Sequence, residues 1–461
     1  MLLLLRPRVP LYGRVWWAGG PGLTRFIASR LVGAAVHSFH RWSVVFVFAL
    51  GSAAFAQLTP PGALVGSQAP LGPQGFTLSP LDSAFQLRLR GVVQVDGRDY
   101  PGNTPALPSA FLVRRARIYI EGGVTDVADF RILPEFGQGT FQLLDAYVDL
   151  HPLAGSWLKL RIGKYKTPFG LERLIPEQSL RFIERGLVAN LVPDRDVGAA
   201  LHGDLGRGFF LYEAGVFDGT VNNGNVDTDI DGEKDVVGRA VFQPFRLLKK
   251  ALLDDVGVGI ATTLGSGRGT ASNTLLPTMK TSGQQTFFSY LSSATSAEGT
   301  VVARGAHTRV EPQAYAFLGP VGALYEYVRD SQSVAKGSLH GRVVSTAWQV
   351  QGFVVLTGEH GNLEGLTPRN PWSLKKRHFG AAELVGRYGE IALGGSAFPT
   401  FADPTRSVRG AQAWALGLNA YLTQNVKLAV NFERTLFQGG AKGNALRAPE
   451  NDFTGRVQLA F

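Results

Sequence analysis

The sequence has no cysteine and only two methionines in 461 residues. Without thiols there is no disulfide framework, no cysteine nucleophile and no thiolate-ligated zinc or iron–sulfur site. Neither H-E-x-x-H nor the G-x-S-x-G elbow occurs, and the six histidines beyond residue 56 are scattered. No catalytic residues, metal site or cofactor are therefore expected, and the chain does not read as an enzyme. Acidic residues are missing from one end: residues 1–56 hold Arg6, Arg8, Arg14, Arg25, Arg30 and Arg41 but no Asp or Glu. The formal charge of +10 is thus unevenly placed, and over the remaining 405 residues 40 basic side chains face 36 acidic ones, a balance of +4. Such a modest excess does not describe a nucleic-acid binder. Beyond residue 56 no apolar run approaches the roughly 20 residues that a membrane-spanning helix needs.

Residues 42–56 read W-S-V-V-F-V-F-A-L-G-S-A-A-F-A, a short apolar run behind basic residues that closes on Ala54-Phe55-Ala56. Positive region, short apolar region and small-residue site together make residues 1–56 a secretory signal peptide, with cleavage expected after Ala56. Residues 1–40 are long for a basic region, so the leader is either long or started upstream of its true beginning. A Pro/Gly-rich segment, 57–80, separates this leader from the region 81–461.

There, apolar residues recur at every second position in segments of about ten, with turn residues between. Phe85, Leu87 and Leu89 alternate with Gln86, Arg88 and Arg90. Arg115, Arg117, Tyr119 and Glu121 oppose Ala116, Ile118 and Ile120, and Lys159 and Arg161 oppose Leu158, Leu160 and Ile162. Near the end, Lys427 and Asn431 oppose Val426, Leu428, Val430 and Phe432. A strand sends successive side chains to opposite faces, so each segment has one apolar and one polar or cationic face. A soluble sandwich turns the apolar face inward, and a transmembrane barrel turns it out to lipid.

Three observations favour an all-β, closed antiparallel transmembrane barrel of about 16 strands, with 18 also compatible. The last segment, F-T-G-R-V-Q-L-A-F, puts Phe453, Val457, Leu459 and Phe461 on one face, as the closing strands of outer-membrane barrels do. The 405 residues give about 25 per strand for 16 strands, enough for a ten-residue strand with alternating short and long connections. High glycine with no cysteine suits a secreted β-rich chain. Closure itself has a physical motive, because in lipid every backbone N–H and C=O needs a partner and only a closed sheet has no edge.

The motifs F-Q-L-R-L-R-G-V-V-Q-V-D-G-R-D-Y (85–100), F-L-V-R-R-A-R-I-Y-I-E-G (111–122), L-L-D-A-Y-V-D-L (143–150), L-R-I-G-K-Y-K-T-P-F-G-L-E-R-L (160–174), F-I-E-R-G-L (182–187) and P-D-R-D-V-G (193–198) follow one another in order. As a set they resemble the phosphate-selective porin O/P family, an outer-membrane porin family. The resemblance covers residues 76–245, and beyond them it is to barrel strands generally. It implies a 16-stranded porin of the bacterial outer membrane, a homotrimer surrounded by lipid and lipopolysaccharide and delivered by the barrel assembly machinery through Phe461. It also implies passage of phosphate or polyphosphate through a cationic constriction.

If the apolar faces meet lipid, Arg88, Arg90, Arg115, Arg117, Arg131, Lys159 and Arg161 face the lumen. Rings of Arg and Lys favour anions, and the planar guanidinium suits phosphate because it donates two hydrogen bonds at once. Glu121, Glu135, Asp145 and Asp149 share that face and would hold the arginines in place or reduce the field. Arg114 sits on the apolar parity, so it lies at the rim and snorkels, or a bulge shifts the register; the family resemblance gives the Arg114-Arg115 pair a pore role. Lys164 and Lys166 also continue an apolar parity, and Pro168 leaves them at the mouth of their strand.

Residues 167–193 lack clean alternation and are too long for an ordinary turn. Either they fold back as a constriction loop carrying Arg173, Arg181 and Arg185, or they lie on the extracellular rim. Asp227-x-Asp229-x-Asp231-Gly232 begins like a calcium loop but has Gly238 where the bidentate Glu belongs, and reads as a solvated loop. The expected function is a passive channel for small anions with phosphate or polyphosphate foremost. The alternative is a general porin of the same fold with weak or no anion selectivity.

Overall fold

The computed structural model describes residues 75–78, 85–103, 105–152, 155, 157–248 and 252–461. The expected signal peptide and most of the 57–80 segment lie outside these residues. Where the sequence alternates, the chain forms strands. Sixteen of them make the barrel wall: β1 Phe85–Asp99, β2 Ala110–Val124, β3 Ala128–Glu135, β4 Gln142–Leu150, β5 Lys159–Lys166, β6 Arg195–Leu205, β7 Phe210–Phe217 and β8 Asp235–Phe242, then β9 Val256–Arg268, β10 Val302–Leu318, β11 Val321–Lys336, β12 Leu339–Val355, β13 Ala381–Ala392, β14 Val408–Tyr421, β15 Val426–Gly439 and β16 Glu450–Ala460. Each pairs antiparallel with the next. The sheet closes where β16 meets β1, with Val457 opposite Val95 and Ala460 opposite Val92. Of the two strand counts the sequence allowed, the structure has 16.

Two flanking segments reinforce the seam. Phe461 and Gly91 exchange backbone hydrogen bonds of 2.6 and 2.9 Å, and the short strand Phe76–Leu78 pairs with Leu87–Leu89 next to them. Closure leaves no unpaired edge in the hydrocarbon, which a lipid-spanning sheet requires. Among the described residues no helix is long and apolar enough to cross a membrane.

Burial alternates as the sequence does. Val93, Val95, Val457, Leu459 and Phe461 are exposed on the outer face, while Gln94, Asp96, Arg456 and Gln458 are buried inside. The connections at the end where Phe85 and Phe461 lie are mostly short, such as 125–127 and 319–320; the opposite end has 167–194, 218–234 and 269–301. Short periplasmic turns and long extracellular loops are the usual asymmetry of such barrels. The largest departure from it is residues 356–380, which run for 25 residues at the short-turn end.

Part of the lumen is filled by the chain itself. Residues 167–194 leave β5 and pass inside the barrel to the far wall. There Phe169, Leu187, Val188 and Leu191 bury against Val328, Val343, Ala347 and Ile391. Leu171, Ile175, Leu180 and Phe182 pack with Tyr315, Phe317, Leu324 and Phe353. A fully buried Phe or Leu contributes on the order of 1.5–3 kcal/mol, so these apolar contacts make the inner face of β10–β14 a docking bed for the segment. Polar anchors fix its start, since the Gly170 and Leu171 N–H groups donate to the two Glu311 carboxylate oxygens at 2.6 and 2.7 Å.

Candidate functional site

The remaining space lies between the crossing segment and the β2–β6 wall. It is a cavity of about 1130 Å³. The wall contributes Arg114, Arg115, Arg117, Lys164 and Arg195, the crossing segment Arg173 and Arg185, and the connection between β9 and β10 Lys280. Facing these eight cations are five carboxylates, Glu135, Glu177, Glu184, Asp194 and Asp227, a net of +3.

Arg114 and Arg115 both reach this cavity because the strand is bulged. Gln94 of β1 faces Arg115, but the next residue, Val95, faces Val113, so Arg114 is the extra residue. A bulge turns consecutive side chains to one face, which alternation forbids. Both converge on Glu184 of the crossing segment. Arg114 donates from Nε and Nη2 at 2.6 and 3.1 Å, and Arg115 Nη2 stands 3.6 Å from the same carboxylate. Arg98 Nη2 and Arg456 Nη2 complete the set at 2.8 and 3.5 Å. Glu177 is enclosed likewise, by Arg117 at 2.7 Å, Lys166 at 3.3 Å, Arg185 at 3.4 Å and Arg195 at 3.9 Å. Burial alone would raise the Glu177 and Glu184 carboxyls, but these cations hold both well below the usual carboxylate range. Asp194 is depressed in the same way, its burial outweighed by Arg195 and Arg173. These three carboxylates therefore stay ionised throughout the physiological range.

Lys164 and Lys166 also turn toward protein despite their apolar parity. At Gly163 the backbone adopts φ of +131°, and beyond it the alternation no longer separates lipid from lumen. Lys164 pairs with Asp227, and Lys166 donates to the Arg173 and Ile175 carbonyls at 2.8 and 3.2 Å. A Cβ on Gly163 would stand 2.2 Å from the Ala146 carbonyl oxygen. Gly163→Ala is therefore expected to cost about 1–3 kcal/mol of strain and clash and to lower the yield of heat-modifiable, folded barrel on unheated electrophoresis.

The other sequence-nominated cations divide into two groups. Arg90, Arg131 and Arg161 lie on the wall nearer the short-turn end, each paired with a carboxylate: Arg90 and Arg131 with Glu121 at 2.6 and 2.7 Å, Arg161 with Asp149 at 2.7 Å. Their guanidinium groups lie over tyrosine rings, Arg90 over Tyr119 at 4.7 Å and Arg161 over Tyr147 at 4.6 Å. Arg88 and Lys159 occupy half-buried inner positions of the same strands. Arg181 is a correction. It does not line the cavity but reaches the opposite wall, where it bonds Glu383 at 2.9 Å and lies 3.6 Å from the Phe353 ring centre. The reason is its neighbours in sequence, since Leu180 and Phe182 dock in the apolar bed and carry Arg181 with them.

Arg195 and Lys280 were not nominated by alternation. Arg195 lay within the P-D-R-D-V-G motif and could have been found there; Lys280 sits in a loop without a pattern. The Asp227–Asp231 stretch forms local turns, with Asp229 Oδ1 accepting the Asp231 and Gly232 N–H groups at 2.9 and 2.8 Å. No group of potential metal ligands occurs among the described residues.

Comparison with known proteins agrees with this architecture. The family model described as phosphate-selective porin O and P matches residues 85–461. No curated protein matches the chain. Among solved structures, the outer-membrane channel DcaP of Acinetobacter baumannii superposes with a TM-score of 0.53 at 9% identity, covering 84% of this chain and 99% of that one. A loop L8 deletion mutant of OmpT, an outer membrane protein of Vibrio cholerae, gives 0.51 at 11% identity, covering 82% of this chain and 100% of that one. At such identities the likeness is one of fold.

Proposed function

The chain belongs to the phosphate-selective porin O and P family, as an outer-membrane β-barrel channel, and from that premise we propose that it passes small anions by diffusion, with phosphate or polyphosphate the leading cargo. The observation that carries the reading is the cavity between the crossing segment and the β2–β6 wall, where eight cations face five carboxylates. A water-filled passage with net positive fixed charge concentrates anions and repels cations. Residues 167–194 act in this reading as the constriction loop, with Arg114, Arg115, Arg117, Lys164, Arg173 and Arg185 along the pathway. Arg88, Arg90, Arg131, Lys159 and Arg161 form its periplasmic approach, and Lys166 supports the loop. Several moderate stations in series let an ion enter and also leave.

A general porin of the same fold is the second reading. It is favoured by the pairing of Arg90, Arg131, Arg117 and Arg161 with carboxylates, which reduces the field each offers. Reconstitution into a planar bilayer under a potassium chloride gradient separates the two. The reversal potential is expected to report anion preference, and added phosphate is expected to block chloride current. A potential near zero would favour the general porin, and a cation-selective one would defeat the anion reading.

We include in the proposal a homotrimer embedded in outer-membrane lipid and lipopolysaccharide, with Phe461 as the contact for the barrel assembly machinery. Crosslinking in native membranes tests the first, and membrane insertion of a Phe461→Ala variant tests the second.

A further inference from the structure

Two carboxylates of the crossing segment each sit among four cations, yet they are held differently. Glu184 is clamped by directional bonds from Arg114 and Arg98, at 2.6, 3.1 and 2.8 Å. Glu177 has only one contact of hydrogen-bond geometry with its cations among the described residues, from Arg185 at 3.4 Å. Of the other three, Arg117 Nη1 lies 2.7 Å from the carboxylate but out of line for a hydrogen bond, and Lys166 and Arg195 stand 3.3 and 3.9 Å away.

The cations around Glu177 do not depend on it for their positions. Arg117 is bonded to Glu135 at 2.6 Å, and Arg195 to Asp145 at 2.8 Å. Lys166 is bonded to the Arg173 carbonyl at 2.8 Å, and Arg185 to the Ile175 carbonyl at 2.9 Å. If the Glu177 side chain swings away, a four-cation seat remains, and the adjoining cavity has room to receive the side chain. The Glu177 backbone is held independently, its carbonyl accepting from Gln94 Nε2 at 3.4 Å.

We propose that Glu177 is a tethered surrogate anion: its carboxylate occupies the seat that a permeating oxyanion such as phosphate takes, and passage is an exchange of one for the other. This rests on the anion-channel reading and assigns a role to one residue within it. The physical need is release. Four cations offset only by the carboxylates behind Arg117 and Arg195 would hold a divalent oxyanion long enough to slow its release, and a channel site must bind weakly enough to let go. A carboxylate on a short tether lowers the net affinity and returns to help expel the ion. Glu184, locked by its arginines, would instead fix the segment in place.

The test is phosphate block of chloride current through single channels in planar bilayers, comparing wild type with Glu177→Gln and Glu177→Asp. Gln keeps the volume and removes the charge; Asp keeps the charge but withdraws it by one methylene. In E177Q the half-blocking phosphate concentration is expected to fall at least roughly tenfold, with longer blocked intervals, since a unit charge at these separations outweighs one decade at the effective dielectric of about 20 typical of protein surfaces. E177D should fall between E177Q and wild type, and it serves alone if E177Q does not fold. An anion-selective wild type whose block is unchanged or weakened in both variants overturns this inference and leaves the channel reading standing. A wild type without anion preference overturns that reading and this inference with it.

Discussion

With Arg114 and Arg115 both replaced by Gln, the chloride-over-potassium permeability ratio is expected to fall by roughly tenfold, toward a channel with little preference. Gln retains donors of similar reach, so the change is mainly one of charge. The cavity holds eight cations against five carboxylates, and losing two brings its net from +3 to +1. Glu184 would keep Arg98 and Arg456, so its segment should stay docked. The single variants carry the sharper information. Because the bulge turns both side chains inward, R114Q and R115Q should each shift the reversal potential by comparable amounts. Strict alternation would put Arg114 against lipid, and R114Q would then leave the potential unchanged. Such a null result for Arg114, beside a shift for Arg115, would mean that the bulge has no functional consequence.

That pair also marks how far the sequence could be read. Alternation located the wall strands because one face meets hydrocarbon and the other meets water and charge, a contrast visible in segments such as Phe85–Arg90. It could not decide between a rim position and a bulge for Arg114, since a bulge is set by the partner strand. Gly163 has the same character: its positive φ redirects Lys164 and Lys166, and no periodicity announces it. Sequence alone leaves residues 167–193 two alternatives, because the segment's destination depends on the far wall. A signal for it existed on that wall. Leu324 and Val328 of β11 and Val343 and Ala347 of β12 lie on the inner parity, where a water-filled lumen would select polar residues. Apolar residues on both faces of these strands mean that something dry covers the inside, and the crossing segment is what covers it.

The same bed separates charge that conducts from charge that anchors. Arginines on the β2–β6 side border open space, whereas those on the β10–β14 side are enclosed. Arg387, for example, bridges Glu433 at 2.7 Å and Glu172 at 3.3 Å while lying 4.4 Å from the centre of the Phe182 ring. Counting lumen arginines from sequence therefore overstates the number available to a passing ion. What matters is which of them border the cavity.

Replacing Arg181 with Ala is expected to be the most destabilising change in the crossing segment while leaving ion preference nearly intact. Arg181 pairs with Glu383, which is fully buried, and donates to the Asn362 carbonyl at 3.0 Å, tying the segment to the 356–380 connection. Glu383 would keep its hydrogen bonds from Asn419 and Tyr421, at 2.9 and 3.0 Å, but lose its cation. Removing one partner of a buried ion pair typically costs about 3–5 kcal/mol, and the stacking of the guanidinium on Phe353 is lost as well. The barrel wall has its own hydrogen-bonded ladder, so the penalty should fall on the segment: a lower unfolding midpoint, larger conductance and noisier open current as the segment leaves its bed. The reversal potential should barely move, because Arg181 does not border the cavity. The double variant R181M/E383Q offers the decisive comparison. Removing both charges and leaving a long apolar side chain against Phe353 should recover much of the midpoint and the quiet current, since a buried pair is often replaceable by neutral residues of similar volume. If R181A instead abolished anion preference and the double variant did not restore quiet current, Arg181 would belong to the ion pathway and not to the anchor.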